Sequence, residues 1–183
     1  MSERARRIVA ILLAVGISAV VLIFREELAG LAAYGYPGIF LITLLSSATV
    51  ALPVPGLALV FAAGASFNPL LIGLAAGAGA GLGEITGYLV GYGGRGAVEN
   101  RANYGRIRHW MERYGAWVIF AMSSVPNPVF DVAGITAGMM RMPALLFLLA
   151  AIAGNTVKAT AVAFAGAGTA SLVSPLIQQW LGR

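Results

Sequence analysis

The chain has 183 residues, of which 59% are hydrophobic and only 10% charged, and its mean hydropathy is +0.85. This balance predicts an all-α integral membrane protein, because the long apolar runs lack the period-two alternation of an outer-membrane barrel. There is no cysteine and only one histidine, His109, which excludes disulfides and thiolate metal sites and leaves little for a Ser-His-Asp triad. The positive charges lie beside hydrophobic segments, where membrane topology accounts for them, so we expect no nucleic-acid partner. We also expect no metal and no cofactor.

The sequence predicts one membrane domain over residues 1–183, with its N-terminus in the cytoplasm because arginines precede the first apolar run at 8–24. We expect this membrane to be the inner membrane of a prokaryotic cell. The domain has five predicted parts: an N-terminal helix and linker (1–37), a first repeat (38–94), a cytoplasmic amphipathic helix (95–115), a second repeat (116–166) and a C-terminal tail (167–183).

Each repeat begins with an apolar segment that two prolines interrupt. In the first repeat Pro53 and Pro55 separate two flanks of about 13 residues, short of the roughly 20 that a spanning helix needs. In the second repeat Pro126 and Pro128 lie on either side of Asn127. Backbone groups left unpaired by proline cannot face lipid, so both segments are predicted to be re-entrant hairpins of two half-helices.

A long apolar segment follows each hairpin, at residues 69–93 and 143–166, and is predicted to span the membrane. Glycines in the first span recur at four-residue steps, which allows neighbouring helices to approach closely. One crossing separates the two hairpins, so they are expected to enter from opposite faces, as in the inverted repeats of transporters. The tail after 166 is too short to cross unless it is joined to the span before it.

Three ionisable residues are predicted at mid-bilayer depth: Glu84, Asp131 and Lys158. Each would cost about 2.5 to 3.5 kcal/mol if it faced lipid, so all three are expected to face one interior. We interpret them as a polar track through the bilayer, to which Asn127 and the prolines of the two breaks contribute polar groups and freed backbone. The alternative for the charges is a buried ion pair with a structural role, and Asn127 is equally suited to capping the next helix.

The segment from 95 to 114 is the most polar part of the chain. Its apolar and aromatic residues recur at steps of three and four, which predicts an amphipathic helix in the headgroup layer. Its arginines are typical of a cytoplasmic loop, and three of them are candidates for contact with anionic headgroups: Arg95, Arg101 and Arg108.

Two stretches of sequence resemble a known family. GLGEITGYLVGYGGRG, residues 81–96, and the PNP, FD and AGIT elements of residues 126–136 are similar to the DedA superfamily, also called the VTT or SNARE-associated Golgi protein family. The resemblance covers roughly 38–164, and the second half is closest to its vacuole membrane protein branch. The resemblance implies opposed re-entrant hairpins and phospholipid scrambling, or, as in bacterial relatives, movement of a lipid carrier or phospholipid.

One feature departs from the pattern of the family. Bacterial members usually carry arginines in an R-F-x-P-x-x-R arrangement around the second-hairpin proline, and here Ser123 or Ser124 and Phe130 or Asp131 stand in those places. This departure disfavours an arginine clamp for polyprenyl phosphate and favours a scramblase.

We therefore expect a lipid scramblase or flippase, not an enzyme, whose partners are membrane phospholipids; the sequence is also compatible with a homo-oligomer. The first alternative is a proton-coupled transporter of a small solute or of a polyprenyl-phosphate carrier, with Glu84 or Asp131 carrying the proton. The second alternative is a structural membrane protein that docks partners through the helix at 95–113.

Overall fold

The computed structural model describes residue 8 and residues 34–48, 56–94, 104–126 and 129–180. In these ranges the regular structure is helical and contains no strand. Eight helices follow one another in the described ranges: α1 (Tyr36–Ala48), α2 (Gly56–Gly64), α3 (Pro69–Gly83), α4 (Ile85–Gly93), α5 (Tyr104–Tyr114), α6 (Ala116–Ser123), α7 (Phe130–Met139) and α8 (Ala144–Trp180).

Two stretches of helix are long and apolar enough to cross a membrane. The first is Pro69–Gly93, 25 residues made of α3 and α4, and the second is Ala144–Ser171, 28 residues within α8. Both exceed the roughly 20 residues needed for a hydrocarbon core of about 30 Å. Helix α8 continues to Trp180, so residues after 166 extend the second span.

The first span begins at a well-defined helix cap. The side chain of Asn68 accepts hydrogen bonds from the backbone N–H groups of Leu70 and Leu71 at 3.0 and 3.3 Å, and Pro69 occupies the first turn. Glu84 interrupts the span only locally, because its own N–H still donates to the carbonyl of Ala80 at 3.1 Å. The carboxylate therefore lies on a continuous membrane-length segment, between α3 and α4.

Helix α3 packs between α8 and α1 through glycines on two faces. A Cβ atom at the glycines facing α8 would collide with that helix, so the two backbones are in close contact. The contacts also show that the two spans are antiparallel, since the numbers rise along α3 while they fall along α8. The contacting pairs are Gly73 with Thr160, Gly77 with Thr156 and Gly81 with Ile152.

Helices α1 and α2 form a hairpin. Its outer ends, which are the start of α1 and the end of α2, meet beside the start of the first span. The ring of Tyr36 contacts Phe67 edge to face with centroids 5.7 Å apart, and the backbone N–H of Asn68 donates to the Tyr36 hydroxyl at 3.3 Å. At the inner end, where α1 finishes and α2 begins, the two helices are close: a Cβ atom added to Gly56 would lie 3.2 Å from Ser46 Oγ.

The segment that follows α7 lies near the other end of the first span. The hydroxyl of Tyr88 donates to the carbonyl of Met142 at 2.6 Å, and the guanidinium of Arg141 lies 5.5 Å from the centroid of the Tyr92 ring. The two broken segments are therefore attached to opposite ends of the same span. Helices α6 and α7 pack with α4, α5 and α8 around a core that includes Ile119, Phe130 and Phe147.

Helix α5 packs its apolar face against protein. Its apolar residues Ile107 and Met111 are each 3% exposed because they pack against the core containing α6 and α7. Protein therefore covers this face, while Trp110 and Tyr114 on the same helix remain exposed. A contact of α5 with headgroups stays a prediction for its other faces.

Several predictions concern residues that lie outside the described ranges. They are the N-terminal membrane helix, apart from residue 8, the prolines and the asparagine of the two breaks (Pro53, Pro55, Asn127 and Pro128), and two of the candidate headgroup arginines (Arg95 and Arg101).

Candidate functional site

A cavity of about 260 Å³ lies between the two spans and the inner ends of the broken segments. It brings together Glu84, Asp131 and Lys158, the three residues that the sequence placed at mid-bilayer depth, and adds Asn155. The other lining residues come from α1, α2, α3 and α8: Thr43, Ser46, Ser47, Gly56, Leu57, Val60, Ala76, Ala80 and Ala159.

Asn155 holds the carboxylate of Glu84 in place. This asparagine is 1% exposed, and its Nδ2 donates to Glu84 Oε1 at 2.8 Å and to the carbonyl of Ala151 at 2.9 Å. Because both partners are acceptors, the orientation of the amide group is fixed. Glu84 Oε2 and Asn155 Oδ1 are also buried, and neither accepts a hydrogen bond from any described residue.

The cation and the second carboxylate face this pair across the cavity. Within the described residues, Lys158 and Asp131 make no hydrogen bond and no salt bridge with N···O within 4.0 Å. A direct ion pair among the three charged side chains is therefore absent from this part of the chain. The opposite charges of Glu84 and Lys158 still attract each other across the cavity without direct contact.

Asp131 marks the place where the cavity reaches the surface. It lies in the first turn of α7 and its side chain is exposed, as is that of Leu57 on the α2 side. A carboxylate in the first turn of a helix is stabilised by the positive end of the helix dipole. The mouth of the cavity is thus acidic on one side and apolar on the other.

The inner end of α1 is fixed against the first span by a buried hydroxyl. Thr86 is 1% exposed, and its Oγ1 donates to the carbonyl of Ala48 at 2.9 Å and to that of Gly83 at 3.0 Å. The contact therefore links the last residue of α1 to the first span. Ser46 and Ser47, in the same last turn of α1, line the cavity.

Sequence reasoning missed Asn155 and the hydroxyl residues of α1. Asn155 precedes Lys158 by three positions, so the two share a helix face, and this spacing was a usable signal. Thr43, Ser46 and Ser47 follow the same three- and four-residue steps along an otherwise apolar helix.

The other predicted residues in the described ranges lie elsewhere. Arg108 pairs with Glu112 on α5 at 2.9 Å, with both side chains about half exposed at 53% and 51%. Pro126 is exposed and does not line the cavity. No group of three or more His, Cys, Asp or Glu side chains that could hold a metal ion occurs among the described residues.

Comparison with known proteins gives two matches. The family model described as the VTT domain matches residues 54–168. Vacuole membrane protein KMS1 from Arabidopsis thaliana is 32% identical over 59 residues, which is 30% of this chain and 14% of that relative. No solved structure matches the chain.

Proposed function

This chain belongs to the VTT domain family, and we propose that it moves phospholipids between the two leaflets of a membrane through the central cavity, without covalent chemistry. The observation that carries the proposal is the position of Glu84, Asp131, Asn155 and Lys158 around one cavity, midway along two membrane-length helices. Ionisable groups at that depth are costly and mark substrate paths in membrane proteins.

The attachment of the broken segments supports a re-entrant, inverted arrangement. The outer ends of the α1–α2 hairpin meet at Tyr36 and Asn68, near the start of the first span, while the segment after α7 contacts Tyr88 and Tyr92 near its end. The inner ends, at Gly56 and Asp131, both line the cavity. Two half-membrane hairpins that enter from opposite faces would be arranged in this way.

The residues that line the cavity form a polar path for a headgroup beside an apolar surface for acyl chains. Hydroxyl groups of Thr43, Ser46 and Ser47 extend the polar surface formed by the charged residues. Leu57 at the cavity and Phe61 one turn further along α2 are exposed and apolar. A headgroup would remain solvated by the polar side while its tails stay in hydrocarbon.

The basic residue in the cavity is a lysine, which favours passage of a phosphate headgroup over its tight binding. Lys158 is the only basic residue among the described residues that line it. A lysine ammonium is a point charge, whereas tight phosphate clamps usually use the planar, bidentate arginine guanidinium. Both carboxylates also repel a phosphate group, which would limit its residence time.

Purified protein reconstituted in liposomes tests the proposal. Phospholipids labelled on the acyl chain are added to both leaflets, and a membrane-impermeant reductant bleaches only the outer leaflet. Bleaching of nearly all label without an ion gradient supports lipid scrambling. Uptake of a solute that depends on a proton gradient would instead support the transporter alternative, and neither activity would leave a structural docking role.

The chain is a membrane protein, as its family and its two apolar spans indicate. We further propose that the N-terminus and the basic segment containing α5 face the cytoplasm, by the positive-inside rule. A prokaryotic inner membrane and a homo-oligomeric state remain proposals, and the matched plant relative shows that similar sequence also occurs in a eukaryote.

A further inference from the structure

The cavity contains hydrogen-bond acceptors and a hydrogen-bond donor group that do not pair with each other. Glu84 Oε2 and Asn155 Oδ1 are two buried acceptors that receive no donor from the described residues. Lys158 lines the same cavity, and its three N–H donors reach no acceptor in the described part of the chain. A buried polar atom without a partner costs about 1 to 3 kcal/mol, so the two buried oxygens favour a bound donor.

We infer that Glu84 Oε2 and Asn155 Oδ1 form a binding site for a primary ammonium group. An –NH3⁺ group carries a positive charge for the carboxylate and several N–H donors for both oxygens. The group has two sources: Nζ of Lys158, which is one helical turn from Asn155, or the amine of a lipid headgroup that enters the cavity. A quaternary ammonium has the same charge but no N–H, so the site rejects it.

This site gives Lys158 two alternative positions. In the structure Nζ makes no hydrogen bond to a described residue, so a cavity without an amine leaves the acceptor pair available to it. An entering headgroup amine occupies the pair instead and leaves Nζ to pair with the phosphate of the same lipid. The exchange favours ethanolamine and serine headgroups over choline, and this consequence rests on the proposed lipid movement, whereas ammonium binding itself does not.

Thermal stability of the purified full-length chain in detergent tests the binding. Methylammonium chloride and tetramethylammonium chloride are compared at equal concentration, since the two cations share a charge and differ in N–H groups. In Lys158→Ala, which leaves the acceptor pair open, methylammonium should raise Tm by roughly 3 °C more than tetramethylammonium near saturation. In Lys158→Ala combined with Glu84→Gln the difference should disappear, because the new amide removes the charge and can itself donate to Asn155 Oδ1.

The wild-type chain identifies the source of the ammonium. If Lys158 fills the site, wild type responds equally to both cations and only the variant discriminates between them. If headgroup amines fill it, wild type discriminates as well. Where Lys158→Ala cannot be purified folded, Lys158→Met in the same assay serves, because it removes the ammonium and adds no N–H donor.

An equal response of the open variant to both cations would overturn the inference. It would mean that water satisfies the two oxygens, or that a proton on Glu84 Oε2 donates to Asn155 Oδ1. A selective response that survives Glu84→Gln would place ammonium binding elsewhere and would equally overturn it. Because the assay measures binding, its result is independent of whether the protein scrambles lipid.

Discussion

At the scale of single residues, Asn155 sets the geometry of the charged cavity. Its amide is held by the carbonyl of Ala151 on its own helix and extends to Glu84 on the other span. One neutral side chain thus joins the two membrane-length helices beside the polar surface. The charged residues around it can then be tested individually.

Neutralising the carboxylates should slow lipid movement while leaving membrane insertion intact. Glu84→Gln and Asp131→Asn keep side-chain volume and polarity but remove the charge, and we expect each to lower the scrambling rate roughly tenfold, the effect of about 1.4 kcal/mol on a barrier. Glu112→Gln is the matched control, because it makes the same change of carboxylate to amide on an exposed side chain paired with Arg108 outside the cavity. Liposome assays at equal protein content measure both.

The variant that neutralises both carboxylates tests whether lipid movement needs a charged path. If Glu84→Gln combined with Asp131→Asn retained the full scrambling rate, no charged path would be needed and the mechanism would be wrong.

Removal of the cation should destabilise the fold through the carboxylates it faces. Lys158→Met leaves Glu84 and Asp131 in the cavity without a counter-charge, and we expect a loss of about 3 kcal/mol. Adding Glu84→Gln should restore part of this loss, with a coupling energy of roughly 1 kcal/mol or more in a double-mutant cycle. Denaturation in detergent measures the cycle; strictly additive effects would show that Lys158 does not interact with Glu84.

The sequence predicted the charged residues of the cavity better than its neutral ones. Glu84, Asp131 and Lys158 stand out because a charge in an apolar segment carries a large cost unless it faces an interior. Asn155 and the hydroxyl residues carry a smaller cost. Thr43, for example, donates to the carbonyl of Ile39 on its own helix at 2.9 Å. A threonine in an apolar helix can satisfy its hydroxyl in this way, so it does not by itself indicate a binding site.

At the scale of helices, the glycines of α3 decide how closely the spans pack. The faces toward α8 and α1 are filled by backbone atoms of these helices at Gly77 and Gly83 respectively, whereas Gly87 in α4 has nothing within 4 Å of an added Cβ. Two buried glycines in one span therefore differ in what a methyl group would do.

Gly77→Ala and Gly87→Ala form a matched pair that tests this packing. Gly77→Ala should destabilise the chain by about 1 to 3 kcal/mol, because the methyl group would collide with the backbone of Thr156. Gly87→Ala should be neutral or stabilising, since alanine favours helix by up to about 1 kcal/mol over glycine. Melting curves in one detergent compare them, and an equal loss in both would contradict the close packing of the spans.

Helix boundaries were predictable where apolar length dictated them. The predicted first span at 69–93 coincides with Pro69–Gly93, because Asn68 and Pro69 signal its start and a glycine pair signals its end. The pattern of α5 was also recognisable, but the partner of its apolar face was not, since periodicity says which residues are covered and not by what. The sequence does not decide whether α8 continues past 166, because the tail is too short to cross by itself.

At the scale of the whole molecule, the attachment of the two broken segments predicts a topology that can be labelled. Phe67 contacts Tyr36 near the start of the first span, and Arg141 lies over Tyr92 near its end. These two ends are separated by about 37 Å of helix, more than the hydrocarbon thickness.

Single cysteines introduced at 67 and 141 should therefore react from opposite sides of the membrane. The chain contains no cysteine, so each label reports one position. Position 141 should be labelled from the cytoplasm and position 67 from outside with an impermeant maleimide. Labelling of both positions from one side would contradict the inverted arrangement.

The length of the second span has a consequence for the membranes in which this protein works best. Its 28 residues make about 42 Å of helix against a hydrocarbon thickness of about 30 Å. A thin bilayer forces such a helix to tilt or the surrounding lipid to thicken, at a cost of a fraction of a kcal/mol for each Å of hydrophobic mismatch. Stability and lipid movement should therefore rise together as the acyl chains of the liposomes are lengthened. The protein would then favour thick membranes over thin ones.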